Sequence, residues 1–171
     1  EAFGFPVALY EVMRDLPKYL TKYVSGLKIE ELVEGIGSPD VAGVFSSQMG
    51  KDAMPKEAYD EAMNIHRPKM LEIYKATFKA NNLNAIIFPT TPLTARNIGE
   101  DETVELNGVQ VPTFPTYIRN TDLGSNIGAP GISLPCNIDS DLPIGMEFDG
   151  LPGGDNELLS LSKSIEMTLT S

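Results

Sequence analysis

The chain is organised around two short apolar runs, Gly131-Ile-Ser-Leu-Pro135 and Pro143-Ile-Gly-Met-Glu-Phe148, each bounded by glycine and proline. Runs of this length and composition are typical of buried strands in an open sheet. Polar residues gather just before the first run, between Asn120 and Asn126. Because a rigid sheet positions the loops at its strand ends, and binding groups concentrate in such loops, the sequence places a candidate site there.

Helical patterns surround these strands. Five segments either repeat apolar residues every three or four positions or open with a capping pattern, and they are predicted to be helices: residues 7–23, 29–34, 39–45, 52–82 and 156–169. Proline removes an amide donor and clashes with the preceding turn. We therefore expect a kink or break at Pro17 and a bend or division at Pro68.

Two further strand signals precede the central runs. Ala85-Ile-Ile-Phe-Pro89 reads as a buried strand, because consecutive apolar residues leave no face for solvent. Residues 103–111 alternate about Asn107-Gly108, a dipeptide that favours the tight turn of a hairpin. The order of elements predicts an α/β fold, a mixed β-sheet core flanked by helices, with residues 1–171 forming one domain or part of a larger one.

Composition excludes several classes of function. The chain has 171 residues, of which 42% are hydrophobic, and a formal net charge of -11. An acidic chain is a poor ligand for nucleic acid or an anionic membrane, since both require basic patches. No apolar run is long enough to span a bilayer, and the single cysteine, Cys136, cannot form an intrachain disulfide. The sequence therefore predicts a soluble, cytoplasmic protein.

The sequence offers no catalytic centre of its own. One histidine, one cysteine and scattered acids do not make a metal site, so neither a metal nor a cofactor is expected. His66 is read as an ordinary helical residue and Cys136 as a small buried thiol. The adjacent serines Ser46 and Ser47 have no base at a recognisable spacing. We therefore assign no catalytic residue to this chain.

Polar groups at two strand junctions are the candidate binding residues. Thr91 follows the first strand, and Asn120, Thr121 and Asp122 precede the central runs. Hydroxyl and amide groups so placed can orient a small uncharged substrate in a largely apolar pocket. Turn and cap chemistry is an equal alternative for Asn120, Thr121 and Asp122. Arg119 either binds an acidic substrate or pairs with Asp122, and we favour the pairing.

At these residues the chain resembles the C-terminal third of the amidase signature family. The matching segments occur in the family's order. They are Asn84-Ala-Ile-Ile-Phe-Pro-Thr-Thr-Pro-Leu-Thr-Ala95, Arg119-Asn-Thr-Asp-Leu-Gly-Ser-Asn126, Gly128-Ala-Pro-Gly-Ile-Ser-Leu-Pro135 and Leu142-Pro-Ile-Gly-Met-Glu147. The segment from Arg119 to Asn126 looks most like the branch that contains mandelamide and indoleacetamide hydrolases. The succession of segments, rather than any one of them, is specific.

The resemblance implies an enzyme that hydrolyses a small aryl or hydrophobic carboxamide to the acid and ammonia. The family's Gly/Ser-rich core, which contains a serine nucleophile, a second serine and a lysine, is absent from this sequence. The resemblance therefore implies that the catalytic residues lie upstream of Glu1. It also implies that Ile118, Thr121 and Asp122 lie near the acyl side chain, with Thr91 at the pocket wall.

Two alternatives are kept beside this reading. An amidotransferase A-type subunit belongs to the same family, although the acidic charge disfavours its RNA-bound assembly. A non-catalytic binding or scaffold function is consistent with the missing nucleophile. The expected partners are the remainder of the polypeptide and a small amide substrate, with no nucleic acid or membrane partner, and a homodimer is left open.

Overall fold

The computed structural model describes residues 3–136 and 141–169. Contacts between Cα atoms divide the chain into two compact units, residues 1–69 and residues 70–171. We describe each unit by itself. Among the described residues, no helix combines the length and the apolar character needed to cross a bilayer.

The first unit is helical. Its elements are α1 (Gly4–Tyr23), α2 (Ile29–Glu34), α3 (Pro39–Gln48), α4 (Lys56–Glu61) and a π-helical turn (Ala62–His66). The predicted helices are all present, with α1 and α3 longer than expected. The break expected at Pro17 is wrong, because α1 continues through this residue to Tyr23. Loss of one amide donor does not end a helix of 20 residues that packs on α4 and the π-helical turn.

The long helix predicted over residues 52–82 is divided just before Pro68. The Arg67 N–H donates to the Ala62 carbonyl, five residues back, and α5 (Arg67–Asn81) follows. Pro68 has no N–H, and its ring would clash with the carbonyl of the previous α-helical turn. A π-helical turn widens the backbone at that point, so the chain remains helical on both sides.

The second unit is built on a small sheet. Its strands are β1 (Ile86–Pro89), β4 (Gly131–Pro135) and β5 (Gly145–Asp149), in the order β1-β5-β4. The predicted α/β class is confirmed. Both described pairings of this sheet are antiparallel, so parallel pairs of a mixed sheet do not occur among the described strands. A short connection between β4 and β5 suits antiparallel pairing, since a parallel pair needs a longer crossover.

The two faces of this sheet differ in chemistry. One face carries Leu134 and Phe148, which form a buried cluster with Leu158 of α8 (Asp155–Leu169). The register pairs Asp149 with Gly131, and Glu147 with Ser133, so these four residues share the opposite face. We call this second face, defined by these four residues, the polar sheet face.

Strand β1 is less buried than its sequence predicts. Ile87 is 57% exposed, whereas Ile86 packs against the buried cluster of Tyr74, Phe78 and Ile127. β1 is an edge strand, and α8 contacts chiefly β4 and β5. The expectation that β1 is buried on both faces is therefore wrong for Ile87.

The remaining described elements between β1 and β4 are a hairpin and two short helices. The predicted hairpin is confirmed as β2 (Thr103–Leu106) and β3 (Val109–Pro112), with positive φ at Asn107 and Gly108. Two short helices, α6 (Thr113–Ile118) and α7 (Asp122–Ile127), follow it and were not predicted. Each spans six residues, and Pro115 in α6 and Gly124 in α7 are residues typical of turns and loops rather than of helices.

Candidate functional site

An open cavity of about 390 Å³ lies beside the end of β1. Its lining comes from the loop after β1, from α6 and from the segment that leads into β5, and consists of Pro89, Thr91, Pro92, Leu93, Thr94, Ala95, Tyr117, Pro143, Ile144 and Gly145. None of these described lining residues carries a charge. A cavity of this kind suits an uncharged, largely apolar group.

Hydrogen bonds hold the loop of residues 90–95 in place. The Tyr117 hydroxyl donates to the Thr94 carbonyl oxygen at 2.6 Å, which ties α6 to the loop. The Thr91 hydroxyl donates to the Leu93 carbonyl oxygen at 2.8 Å. Because these side chains satisfy backbone groups within the loop, the cavity wall has a defined shape before any ligand binds.

The structure brings only one of the four predicted binding residues to the cavity. Thr91 lines it, whereas Ile118, Thr121 and Asp122 are not among the lining residues. Ile118 ends α6, and Thr121 and Asp122 begin α7. Asn120, between the two helices, donates from Nδ2 to the Pro89 carbonyl oxygen at 2.8 Å, so the turn between α6 and α7 lies at the end of β1.

Thr121 occupies the N-cap position of α7 but makes no capping side-chain hydrogen bond, so its contacts are those of a turn rather than of a cap. Its hydroxyl donates to the Ile118 carbonyl oxygen at 3.2 Å, and its own carbonyl accepts the Ser125 hydroxyl at 3.0 Å. Asp122 is exposed. The favoured pairing of Arg119 with Asp122 is wrong, since the ion pairs between described residues do not include it. The binding role of these residues stays a prediction.

A buried carboxyl group on the polar sheet face was missed by the sequence reasoning. Asp149, the last residue of β5, is only 5% exposed. Burial first, and then the neighbouring Glu147 carboxylate, raise the pKa of Asp149 to about 6. The signal in the sequence was the alternation Met146-Glu147-Phe148-Asp149, which puts both acids on one face of a strand.

The Asp149 carboxyl group lies close to two glycines. A Cβ atom built on Gly124 of α7 would lie 2.6 Å from Asp149 Oδ2, and one built on Gly131 of β4 would lie 2.8 Å from Oδ1. The same Gly131 position is 2.8 Å from Glu147 Oε1. The two carboxyl groups therefore approach within about 6 Å, a range at which like charges oppose ionisation.

Tyr74 of α5 closes this region from the other side. Its hydroxyl donates to the Gly150 carbonyl oxygen at 3.1 Å in a buried hydrogen bond. Burial, with a contribution from the Asp149 carboxylate, raises the pKa of Tyr74 to about 12. Next to it, the Gly150 N–H donates to the Pro130 carbonyl oxygen at 2.9 Å. Both polar groups of Gly150 are thus satisfied where β5 ends.

The comparison with protein families decides the wider assignment. The family model described as Amidase matches residues 2–159. The chain belongs to the amidase family. The resemblance noted in the sequence is thereby confirmed, and it extends over both compact units of the chain.

Named relatives of this amidase-family chain are hydrolases. It is 43% identical over 164 residues to an indoleacetamide hydrolase of Rhizobium radiobacter, covering 95% of this chain and 35% of that protein. It is 38% identical over 181 residues to a mandelamide hydrolase of Pseudomonas putida, covering 98% of this chain and 34% of the relative. The chain thus spans about a third of the length of these relatives.

Solved structures of the family share the fold. A crystal structure of an amidase superposes with a TM-score of 0.69 at 26% identity, covering 97% of this chain and 36% of that one. A peptide amidase from Stenotrophomonas maltophilia gives a TM-score of 0.61 at 20% identity, covering 97% and 33%. The amidase-family chain therefore has the architecture of one part of these larger proteins.

Proposed function

We propose that this chain is part of an amide hydrolase that converts a small aryl or hydrophobic carboxamide and water into the carboxylic acid and ammonia. The observation that carries the proposal is the 43% identity over 164 residues to an indoleacetamide hydrolase. The role assigned to the chain is to supply walls of the substrate pocket and part of the sheet that supports it.

The cavity beside β1 supports this role. Its described lining is uncharged and includes three prolines, one leucine and one isoleucine, and Thr91, Thr94 and Tyr117 add hydroxyl groups. An aromatic or aliphatic acyl group would lose water on entering such a cavity and would leave no charge unpaired. We assign Ile118, Thr121 and Asp122 to the same acyl region, reached from the turn that Asn120 ties to Pro89.

The bond-breaking step is assigned to residues outside this chain. In the proposed mechanism a serine hydroxyl attacks the carboxamide carbon, and a second serine and a lysine relay its proton to the departing ammonia. Water then releases the acid from the acyl-enzyme. A serine hydroxyl is a weak nucleophile until a base accepts its proton, so the pocket walls alone cannot catalyse this reaction.

A chimera tests the proposal. The aligned C-terminal portion of the Rhizobium radiobacter indoleacetamide hydrolase is replaced by this chain, and ammonia release is measured with indoleacetamide, mandelamide and acetamide. We expect turnover of the two aryl amides. A chimera that melts cooperatively yet releases no ammonia from any amide contradicts the proposal and favours a scaffold function. Turnover by the 171-residue chain alone contradicts the assignment of the nucleophile to residues outside this chain.

Two substitutions in the chimera test the pocket residues. Thr121→Ala and Ile118→Ala are expected to change the ratio of kcat/KM between indoleacetamide and acetamide, with little change in Tm. Thr77→Ala is the matched control, because Thr77 is an exposed helical threonine of the same unit whose hydroxyl also bonds a local carbonyl. Equal amide selectivity in all three variants would reject the assignment of Ile118 and Thr121 to the acyl region.

A further inference from the structure

The contact between Asp149 and α7 links the sheet to the predicted pocket residues. Gly124 is the buried third residue of α7, which begins at Asp122 with Thr121 as its N-cap residue. The distance of 2.6 Å from Asp149 Oδ2 to a Cβ built on Gly124 leaves no room for a side chain between them. The carboxyl group therefore touches the backbone of α7 directly.

The carboxyl group is also confined from the side of the sheet. A Cβ built on Gly131 would lie 2.8 Å from Asp149 Oδ1, so the group is held between two glycine backbones. Helix α7 ends at Gly128, which has a φ of +72°, and the Ala129 N–H donates to the Gly124 carbonyl oxygen at 3.0 Å. Gly124 and Gly131 are thus joined by a short, hydrogen-bonded segment that encloses Asp149.

We propose that Asp149 is a positioning residue for the predicted pocket: its carboxyl group sets how closely α7, which carries Thr121 and Asp122, lies against β4 and β5. The inference rests on the proposed function for its consequence in catalysis. The contact itself belongs to this chain alone. No other residue of β5 reaches Gly124 among the closest atoms around that glycine.

A change in the protonation state of Asp149 is what alters the position of α7. The titratable groups that face it are Glu147 from β5 and Tyr74 from α5, while α7 and β4 present the backbones of Gly124 and Gly131. No cation balances Asp149 among the described ion pairs. Loss of its proton near pH 6 creates a second negative charge beside Glu147, and a buried unpaired charge draws in water or moves its neighbours. Helix α7, which contacts the Asp149 carboxyl group, therefore shifts when Asp149 loses its proton.

Backbone amide spectra of the 171-residue chain test the contact without any activity. Between pH 4.5 and pH 7.5 the amide signals of Thr121, Asp122 and Ser125 are expected to titrate together with a midpoint near pH 6. Asp149→Asn keeps the shape and removes the charge, so it should abolish this titration. Glu147→Gln should lower the midpoint. Signals of α7 that do not titrate, or that titrate equally in the Asp149→Asn variant, overturn the proposal.

The chimera tests the consequence for the pocket. We expect Asp149→Asn to remove the dependence of KM for indoleacetamide on pH between 5 and 7, and to change kcat less than about twofold. Asp149→Ala leaves a hole under α7 and should raise KM more than Asp149→Asn does. A pH dependence of KM that survives in Asp149→Asn overturns the positioning role. If the chimera with the unmodified segment is inactive, the proposed function fails, and the amide spectra still decide the positioning role.

Discussion

Asp149 combines three features on one side chain: burial, a like-charged neighbour and contact with two glycine backbones. A carboxylate in that position is costly, because the group has lost water and gained no cation. The protonated form avoids this cost. At the scale of single residues, Asp149 therefore connects the stability of the second unit to pH.

The stability of the second unit should fall as pH rises from about 4 to about 6. The pKa of Asp149 is near 6 in the folded chain and 3.8 for an ordinary aspartate. Over this interval the folded state binds more protons than the unfolded state, so its free energy of unfolding decreases with increasing pH. Above about pH 7 both states are ionised, and this contribution is lost.

Urea unfolding at pH 4, 5, 6 and 7 measures this effect as the difference between the parent chain and Asp149→Asn. We expect the variant to gain stability relative to the parent as pH rises to 6, and the difference then to level off. Asp101→Asn, at an exposed position of the same unit, serves as the matched control. A parent-minus-variant difference that is constant over this range would show that Asp149 is not held protonated.

At the scale of elements, structure that depends on a short local sequence signal was predictable from the sequence, and structure that depends on tertiary contacts was not. The hairpin of β2 and β3 was predicted because Asn107-Gly108 favours positive φ within two residues. Helices α6 and α7 were missed because Pro115 in α6 and Gly124 in α7 are residues typical of turns and loops. Their stability comes from tertiary contacts, such as the bond from Asn120 to Pro89. The burial of Asp149 was unpredictable for the same reason.

Glycine-to-alanine substitutions in two helices should have opposite effects. Gly43 in α3 has open space at its Cβ position, whereas Gly124 in α7 would bring its Cβ to 2.6 Å from Asp149 Oδ2. We expect Gly43→Ala to stabilise the first unit by about 0.5–1 kcal/mol through helix propensity. Gly124→Ala should destabilise the second unit by about 1–2 kcal/mol through overpacking.

Urea unfolding followed by circular dichroism compares the two variants with the parent chain. Gly124→Ala in an Asp149→Ala background controls for the contact, since the missing carboxyl removes the clash. A loss of stability that is as large in that background as in the parent would show that Asp149 is not the obstacle.

At the scale of the whole molecule, the two units differ in how much apolar surface they bury. The buried hydrophobic residues of the first unit are Phe3, Leu20 and Ala62. Those of the second unit are Tyr74, Phe78, Val104, Ile127, Leu134, Phe148 and Leu158. The sequence predicted the α/β class from strand and helix patterns, but it gave no sign of this imbalance, because apolar residues occur throughout both units.

Hydrogen exchange should reflect the difference in buried hydrophobic residues between the two units. We expect the amides of β5 and α8 to exchange slowest, since both elements contribute to the buried cluster of Leu134, Phe148 and Leu158. The amides of α2 and α4, neither of which has a buried residue, should exchange fastest among the helices of both units. Exchange detected by mass spectrometry after proteolysis gives this order. Equal protection of α2 and β5 would contradict the unequal cores.

The enclosure of one carboxyl group by two glycines also restricts how the sequence can diverge. A larger residue at position 124 is tolerated only after position 149 has become smaller, because a carboxyl oxygen occupies the space that the new Cβ would need. A larger residue at position 131 also requires the Glu147 side chain to move, because Glu147 Oε1 is as close to that Cβ position as Asp149 Oδ1 is. The order of substitutions therefore matters: a change at Asp149 opens paths that are closed while the aspartate is present. In an evolving lineage position 124 should change together with position 149, and position 131 should change together with positions 147 and 149.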